Sequence, residues 1–457
     1  MKNSPKISNG VYFIGIGGIG VSALAKYYLE KGHNVLGSDL AASEITESLK
    51  TLGAKLFIGQ HQNQRITSDI KLVIYSPAVQ KNNPELKTAR KLQIKSLSYP
   101  EALGELTKKC FTIAVSGTHG KSTTTSMISL ILVKAGLDPT VIVGTKLKEF
   151  DNSNCRVGKS KYLIIEADEW QASFLKYFPK IIVLTNIERE HLDYYKNLNK
   201  ILQTFRTYIR RLPQDGILVA NWDDKNIQTI LSSKPKFKVQ RYSLKNKEAK
   251  ELKKILKIPG EHNVSNALAA LSVARILKIP DKIAFQSLSG YKSSWRRFEI
   301  TKALRPKSCT VISDYAHHPT EIKVTLQAAR EKFPEKKIWC VFQPHQYQRT
   351  FYLFKDFAKV LSEAHLNKLI ITDIYDVAGR ENKNIKKKVS SKTLVNKIKN
   401  LNAKAEKKIL YIPTIEEAAN YLRKNLADCQ VLIIMGAGDI YKLGDFLSLT
   451  KSNKKRQ

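Results

Sequence analysis

Residues 112–125, TIAVSGTHGKSTTT, decide how the middle of this chain folds. An apolar β-type run turns through a glycine loop and enters a helix at Lys121 and Ser122. This order is typical of a phosphate loop, because glycines let backbone N–H groups face phosphate oxygens and the helix N-terminus adds partial positive charge. Lys121 is predicted to reach the β- and γ-phosphates of ATP, and the Ser122 hydroxyl to bind Mg²⁺. Val115 replaces the first glycine of the full motif, so a glycine-rich turn before a surface helix stays the alternative.

Length and composition limit the class of protein. The chain has 457 residues, enough for about three domains, and its 42% of hydrophobic residues can build a core. Residues 1–10 show no signal-peptide pattern and no run of about 18 apolar residues follows, so we expect a cytoplasmic protein without an integral membrane segment. The five cysteines are scattered and form no C-x-x-C pair, which indicates reduced thiols.

Basic residues dominate the charge. Lys and Arg total 77 against 40 Asp and Glu, which gives a net charge of +37. Such a charge attracts nucleic acid, anionic membranes or anionic small substrates. The excess is spread along the chain without interleaved aromatic residues, so it predicts no specific nucleic-acid partner. The sequence makes no prediction of the oligomeric state.

A second glycine loop follows the first predicted strand. Gly15, Gly17 and Gly20 complete a G-x-G-x-x-G motif, and Asp39 stands about 20 positions further on, at the end of the next strand. Any nucleotide diphosphate can bind at such a helix N-terminus, so NAD is one option among several. The turn that contains Ser76 follows a later strand, at the end where ligands bind in open α/β sheets.

Polar residues also follow the strands beyond the phosphate loop. A carboxylate at the end of a buried strand beside such a loop is a usual Mg²⁺ ligand, which favours Glu166 over Asp168 and Glu169. His191 follows the next strand and could ligate metal, contact phosphate or be a polar surface residue. Asn263 opens a helix, either as its N-cap or as part of a site.

The C-terminal third repeats the strand-then-helix pattern. Its strands end in polar segments that contain Asp314, His318 and His345, which predicts a further open sheet with a site at the strand ends. We therefore predict an α/β fold of three domains: a Rossmann-like domain at 1–106, a P-loop ATPase-type domain at 107–296 and a Rossmann-like domain at 297–457.

Eight short motifs occur in one order along the chain, namely GTHGKSTTT, EADE, TNIEREHLD, GEHNVSNALAAL, RRFE, DYAHHPTEI, FQPHQYQRT and MGAGDI. In this order they resemble the Mur ligase family over nearly the whole chain. GIGGIGVSALA near the N-terminus and DYAHHPTE are most similar to members that join L-alanine to UDP-N-acetylmuramate, or to members that attach a recycled murein peptide to the same sugar nucleotide.

The resemblance implies a role for each motif. It implies that the first domain binds the UDP-sugar, that the second binds ATP and Mg²⁺, and that the third binds the amino acid and closes over the site. The implied UDP-substrate residues are Gly15, Gly17, Gly18 and Gly20 at the pyrophosphate, Asp39 near the uridine, and Ser76. The implied ATP residues are Gly117, Thr118, His119, Gly120, Lys121, Ser122, Thr123, His262, Asn263, Arg297 and Asp314. The implied metal ligands are Ser122, Glu166 and His191. The implied catalytic residues are Lys121, Glu166 and His191. The residues implied to bind the muramoyl and amino-acid groups are His318, His345 and Arg349.

The chain departs from the family pattern at several positions. Ser122 stands where many relatives have Thr, which leaves a hydroxyl in place. Trp170 lies in EADEWQASF, where relatives commonly have EADESDASF, and Glu190 stands where they usually have Asp. Gln346 removes a cation from the common PHRYTRT pattern, and Arg380 interrupts the AGE motif; both lie in the expected amino-acid domain.

Residues and resemblance indicate the same chemistry. A carboxylate is a poor acyl donor, but transfer of the γ-phosphoryl group of ATP turns it into an acyl phosphate that an amine can attack. We expect an ATP-dependent ligase of peptidoglycan precursor synthesis that forms a C–N bond between L-alanine and the lactyl carboxylate of UDP-N-acetylmuramate. Lys121 and Mg²⁺ would neutralise the phosphoryl oxygens without a protein nucleophile. The alternatives are a recycled peptide or a different amino acid as acceptor, a nucleotide-dependent dehydrogenase and a nucleic-acid-binding protein.

Overall fold

The computed structural model describes residues 10–232, 235–304, 309–377, 383–402 and 408–448. Strands and helices alternate along these residues, and the strands form three sheets. The three sheets confirm the predicted α/β class. The interrupted AGE motif, with Arg380, lies outside the described residues. In the described part of the chain, no helix is both long enough and apolar enough to cross a membrane.

The first sheet is parallel throughout, with strand order β3-β2-β1-β4-β5. Its strands are β1 Gly10–Ile14, β2 Asn34–Asp39, β3 Lys55–Ile58, β4 Ile70–Tyr75 and β5 Lys95–Ser98, and the helices between and after them are α1 Ile19–Glu30, α2 Glu44–Thr51, α3 Pro84–Lys91 and α4 Tyr99–Lys108. The strand order reverses between β1 and β4. The loops that follow these two strands therefore diverge at the carboxyl ends of the strands, where ligands bind in open α/β sheets.

The second sheet has seven strands in the order β12-β11-β10-β6-β9-β7-β8, and only the β7–β8 pair is antiparallel among its described pairings. Its strands are β6 Phe111–Ser116, β7 Thr140–Leu147, β8 Ser153–Arg156, β9 Tyr162–Glu166, β10 Ile181–Leu184, β11 Ile217–Asn221 and β12 Lys238–Tyr242. The helices of this part of the chain are α5 Lys121–Lys134, α6 Leu192–Tyr195, α7 Leu198–Ile209, α8 Lys225–Ile230, α9 Glu248–Ile255, α10 Glu261–Ile276 and α11 Asp281–Gly290.

The third sheet has the order β13-β14-β18-β15-β16-β17, with β13 antiparallel to β14 and the other pairs parallel. Its strands are β13 Glu299–Leu304, β14 Cys309–Asp314, β15 Ile338–Phe342, β16 Lys368–Ile371, β17 Ile409–Tyr411 and β18 Val431–Met435. Its helices are α12 Pro319–Lys332, α13 Tyr347–Tyr352, α14 Phe354–Ser362, α15 Lys383–Lys386, α16 Ser391–Leu401, α17 Ile415–Asn425 and α18 Leu443–Ser448.

Strand β15 shows how the third sheet is buried. Ile338, Cys340 and Phe342 belong to one apolar cluster, whereas Trp339 and Val341 belong to another. Successive side chains of a strand point to opposite faces, so the two clusters cover the two faces of one sheet. A strand buried on both faces reads as a continuous apolar run, which explains why its sequence predicts a buried strand.

The described chain divides into two compact units. The first comprises residues 10–187, 201–246 and 266–288 and contains the first two sheets. The second comprises residues 188–200, 247–265 and the described residues from 289 onward, and contains the third sheet. The segment with His191 thus belongs to the unit of the third sheet, although it lies within the stretch predicted as the central domain. The boundaries at residues 106 and 296 stay predictions, and residue 106 lies in the last turn of α4.

Candidate active site

The phosphate loop connects β6 to α5 and requires glycine at two positions. Gly117 has a φ of 130° and Gly120 a φ of 81°, which L side chains rarely adopt. A Cβ atom on Gly120 would lie 2.5 Å from Oδ1 of Asn266, and one on Gly117 would overlap the hydroxyl of Thr185. The two glycines therefore serve both the turn and the close approach of neighbouring side chains.

Thr185 and Asn186, which follow β10, brace this loop. The main-chain N–H of Thr118 donates to the Asn186 carbonyl at 3.0 Å, and the N–H of His119 donates to Asn186 Oδ1 at 2.8 Å. The Thr185 hydroxyl donates to the His119 carbonyl at 2.7 Å. Because these two N–H groups have internal partners, a bound phosphate would meet the N–H groups that follow them at the start of α5.

Lys121 is held at the centre of the loop. Its ammonium donates to the carbonyls of Gly117 at 2.6 Å and Thr118 at 3.2 Å, and to Oε2 of Glu169 at 2.9 Å; Oδ1 of Asp168 is 3.8 Å away. Burial lowers the pKa of Lys121, but the carboxylates of Glu169 and Asp168 outweigh it and raise the pKa above its ordinary value. Lys121 is therefore a fixed cation, and Glu169, which the sequence ranked below Glu166, is its buried counter-ion.

Glu166 and Ser122 supply oxygen atoms at the same sheet edge. Glu166 ends β9 and is in register with Val115 of β6, one residue before the end of that strand, and its Oε1 accepts a hydrogen bond from the N–H of Gly144 at 2.6 Å. Ser122 lies buried in the first turn of α5. Carboxylate and hydroxyl oxygens are the hard donors that Mg²⁺ prefers, with phosphate and water completing its shell, so this donor set fits Mg²⁺. The third predicted ligand, His191, lies in the other unit.

The first glycine loop follows β1 and packs against the loop after β4. Gly15 has a φ of 75°, and a Cβ atom on it would lie 3.0 Å from Cβ of Ser76. The N–H of Gly17 donates to Oδ2 of Asp39 at 2.8 Å. The structure thus brings the predicted residues together, but Asp39 binds the loop assigned to the pyrophosphate. Its place near the uridine stays a prediction.

In the second unit, the segment that contains His191 is fastened to α12 and α13. Oε1 of Glu190 accepts from Nε of Arg349 at 2.9 Å, and the hydroxyl of Thr320 donates to Oε2 of Glu188 at 2.6 Å. His191 itself immediately precedes α6 and has a left-handed backbone conformation, with a φ of 53°. Although burial raises it, the Arg349 guanidinium and nearby histidines hold the pKa of Glu190 well below its usual range.

Arg349 of α13 and His345, which lies just before that helix, are four residues apart and contact each other. Nη1 of Arg349 is 3.0 Å from Nδ1 of His345 and donates to the His345 carbonyl at 3.1 Å. A guanidinium can only donate, so Nδ1 accepts and the imidazole is neutral with its proton on Nε2. Burial and the Arg349 charge lower the pKa of His345 well below its ordinary value, and the ring stacks on Tyr375 at 5.5 Å between centroids.

Asp314 is buried and accepts from three internal donors. These are the N–H groups of Phe298 at 2.6 Å and Ala316 at 2.8 Å and the hydroxyl of Thr325 at 3.3 Å. Burial raises its pKa to about 6. The predicted ribose contact of Asp314 stays a prediction, and a nucleotide would have to share a carboxylate that already organises the loop after β14. Arg297, predicted to contact the nucleotide, is partly exposed over the Tyr315 ring, 4.7 Å from its centroid.

Two further predicted residues have structural partners. Nδ1 of His318 accepts from the N–H of Thr320 at 3.3 Å, and its Nε2 donates to the Arg189 carbonyl at 3.1 Å, so the ring caps α12. Asn263 donates to the Pro259 carbonyl at 2.7 Å. It is the third residue of α10, so the alternative that it is the N-cap is wrong. Burial lowers the pKa of its neighbour His262 to about 4.

Sequence reasoning missed the organising role of three residues: it weighed Glu169 only as a metal ligand, noted Glu190 only as a departure from the family pattern, and did not single out Asn186. All three lie within quoted motifs: Glu169 three positions from Glu166, Glu190 directly beside His191, and Asn186 five positions before His191. Their only sequence signal is a polar residue close behind a buried strand. That signal cannot separate a ligand-binding residue from one that positions it, because both occur at the same sheet edge.

Family models match three consecutive stretches of the chain. The Mur ligase family catalytic domain matches residues 10–110, the Mur ligase middle domain residues 115–274, and the Mur ligase glutamate ligase domain residues 296–438. The chain belongs to the Mur ligase family.

Relatives match this chain over almost its full length. A UDP-N-acetylmuramate–L-alanine ligase of Clostridium kluyveri is 42% identical over 458 residues, covering 95% of this chain and 97% of its own. One of Clostridium acetobutylicum is 41% identical over 473 residues, covering 98% and 99%. The crystal structure of a UDP-N-acetylmuramate–alanine ligase of Thermotoga maritima is similar with a TM-score of 0.77 at 26% identity, over 96% of this chain and 98% of that one. A murein peptide ligase of Psychrobacter arcticus shares the fold, with a TM-score of 0.71 at 21% identity over 97% of this chain and 100% of that one.

Proposed function

We propose that the protein is an ATP-dependent ligase that joins L-alanine to the lactyl carboxylate of UDP-N-acetylmuramate during cytoplasmic synthesis of peptidoglycan precursors. The observation that carries the proposal is the match to ligases of this name at 41 and 42% identity over nearly full length. The phosphate loop with its fixed Lys121 supports the nucleotide part. A recycled peptide as acceptor has weaker support, because the murein peptide ligase is only 21% identical.

The reaction balances without a covalent bond to the protein. An oxygen of the lactyl carboxylate attacks the γ-phosphorus of ATP, and the bond to ADP breaks. The neutral amine of L-alanine then attacks the acyl carbon, the C–O bond to phosphate breaks, and the amine proton leaves to solvent or phosphate. The products are ADP, phosphate and the amide, so the protein contributes mainly positioning and electrostatic stabilisation.

Each group of residues has a proposed part in this reaction. Lys121 would offset the charge of the transferring phosphoryl group, and Ser122, Glu166 and His191 would hold Mg²⁺, which when bound neutralises phosphate oxygens. We assign the UDP-sugar to residues 1–106, with its pyrophosphate at the first glycine loop. We assign ATP to residues 107–296 together with Arg297 and Asp314. The amino acid would bind in residues 297–457, near His318, His345 and Arg349.

Phosphate release tests the proposal directly. The assay contains ATP, Mg²⁺ and UDP-N-acetylmuramate, and each amino acid is added in turn. We expect release that requires both the sugar nucleotide and L-alanine, and none from the Lys121→Ala variant, which controls for contaminating ATPases. Release with murein peptides but not with L-alanine, L-serine or glycine would favour the recycling reaction. No release with any acceptor would contradict a ligase function.

A further inference from the structure

Glu190 and Arg349 form a buried ion pair between residues far apart in the chain. The Glu190 side chain is 8% exposed and that of Arg349 5%, and Oε1 and Nε are 2.9 Å apart. An isolated buried guanidinium is costly, so Arg349 depends on a carboxylate at this place. The exposed pair of Arg189 and Asp356, at 3.0 Å, lies next to it and is worth little, since water screens it.

The contacts of Arg349 divide its guanidinium into an occupied and an open side. Nε is bonded to Glu190, and Nη1 is bonded to both the ring and the carbonyl of His345. Within the described residues, no protein acceptor contacts Nη2. Two partners from different segments therefore fix the plane of the cation and leave one edge to donate to a further anion.

We propose that Glu190 is a positioning residue that orients Arg349 toward the carboxylate of the incoming amino acid. The inference rests on the proposed function, in which Arg349 belongs to the amino-acid site. A planar guanidinium recognises a carboxylate only if its donor edge is correctly aligned, and Glu190 sets that alignment from the opposite side. Glu190 touches neither substrate nor reacting atoms; it acts through Arg349.

Two substitutions separate the charge of Glu190 from its length, and a third serves as the control. Glu190→Gln keeps the shape and removes the charge, Glu190→Asp keeps the charge on a side chain one methylene shorter, and Asp356→Asn is the matched control at the exposed pair. We expect Glu190→Gln to raise KM for L-alanine by about tenfold or more, with KM for ATP and UDP-N-acetylmuramate changed less than about twofold. Glu190→Asp should recover part of the loss, and Asp356→Asn should match the wild type.

A double-mutant cycle with Arg349→Lys tests whether Glu190 acts through Arg349. If it does, Glu190→Gln adds little to the KM for L-alanine of Arg349→Lys, since residues that act as a unit are not additive. Additive effects, or an equal rise in every KM, would overturn the proposal. A larger requirement for Mg²⁺ without a change in KM for L-alanine would show that Glu190 acts on His191 instead.

The same variants distinguish this proposal from the proposed function. If the wild type releases no phosphate with L-alanine, the proposed function fails and so does the role of Glu190 in amino-acid binding. The thermal midpoints of the four proteins of the cycle then still report whether the ion pair exists. If the wild type is active and Glu190→Gln lowers the midpoint without changing KM for L-alanine, the pair is only structural and the proposal is wrong.

Discussion

Nζ of Lys121 lies 2.9 Å from Oε2 of Glu169, and the Glu169 side chain is only 2% exposed. The phosphate-loop cation therefore has a buried internal counter-ion before any nucleotide contacts it. Removing either partner leaves the other charge buried, so a single substitution changes both catalysis and stability.

Substitution of Lys121 should lower the activity much more than substitution of Glu169. We expect Lys121→Ala to lower kcat by at least about 10²-fold, the usual cost of losing one donor to developing negative charge. Glu169→Gln keeps the Lys121 cation and should lower kcat by less than about tenfold. Phosphate release gives kcat, and the double variant shows how much of the loss comes from an unpaired Glu169. Turnover of Lys121→Ala within tenfold of the wild type would contradict the role of Lys121.

Asp39 should affect binding of the UDP-substrate indirectly, because it accepts a hydrogen bond that holds the glycine loop in place. Its Oδ2 accepts from the N–H of Gly17, and an Asn at this position retains an acceptor oxygen while removing a negative charge near the expected pyrophosphate. We expect Asp39→Asn to keep or lower KM for UDP-N-acetylmuramate and Asp39→Ala to raise it about tenfold, the cost of a lost hydrogen bond to a charged group. Steady-state kinetics at saturating ATP measures both. An equal rise for both variants would mean that the charge, not the acceptor, matters.

Gly104 should be essential to packing within the first unit. A Cβ atom at this position in α4 would overlap the backbone carbonyl of Lys176, which cannot rotate away as a side chain can. We expect Gly104→Ala to reduce the free energy of unfolding by about 1–3 kcal/mol, as overpacking does. Gly290, the last residue of α11, meets nothing within 4 Å, so Gly290→Ala is the control. Urea unfolding that shows equal stability for both variants would contradict the packing argument.

The stability of the protein should fall as the pH falls below about 6.5, in part because of His317. Burial lowers the pKa of His317 from 6.5 to about 3 and outweighs the nearby Glu321 carboxylate. Between these values the unfolded chain binds a proton that the folded chain does not, so the free energy of unfolding decreases with decreasing pH. His317→Gln should remove about 1–2 kcal/mol of this decrease between pH 7.5 and 5.

Urea unfolding at several pH values measures this slope. His365→Gln is the matched control, because His365 is exposed. The same pH slope in the His317→Gln variant and the wild type would show that His317 does not carry the effect.

Strands in the sheet interiors were predictable, and most of those missed lie at or next to a sheet edge. Residues 431–435, VLIIM, form a continuous apolar run that predicts a buried strand, and the structure shows β18 there. By contrast β5, with the sequence KSLS, and β17, with ILY, lie at edges of their sheets and were not predicted. An edge strand pairs on one side only and needs few apolar residues, so its sequence pattern is short and weak.

The sequence by itself determined the α/β class and the residue types at each site, because glycine loops behind apolar strands are local patterns that about 10 to 20 residues encode. The family followed from the resemblance of its eight ordered motifs. Only the tertiary structure decided which polar groups pair. Glu190 and Arg349 are 159 positions apart, and Lys121 and Glu169 are 48 apart. Strands distant in the chain bring such side chains to one edge, and the direction of each side chain depends on packing that no local pattern records. The assignment of Arg349 to a substrate came from its motif, whereas its dependence on Glu190 came from the fold.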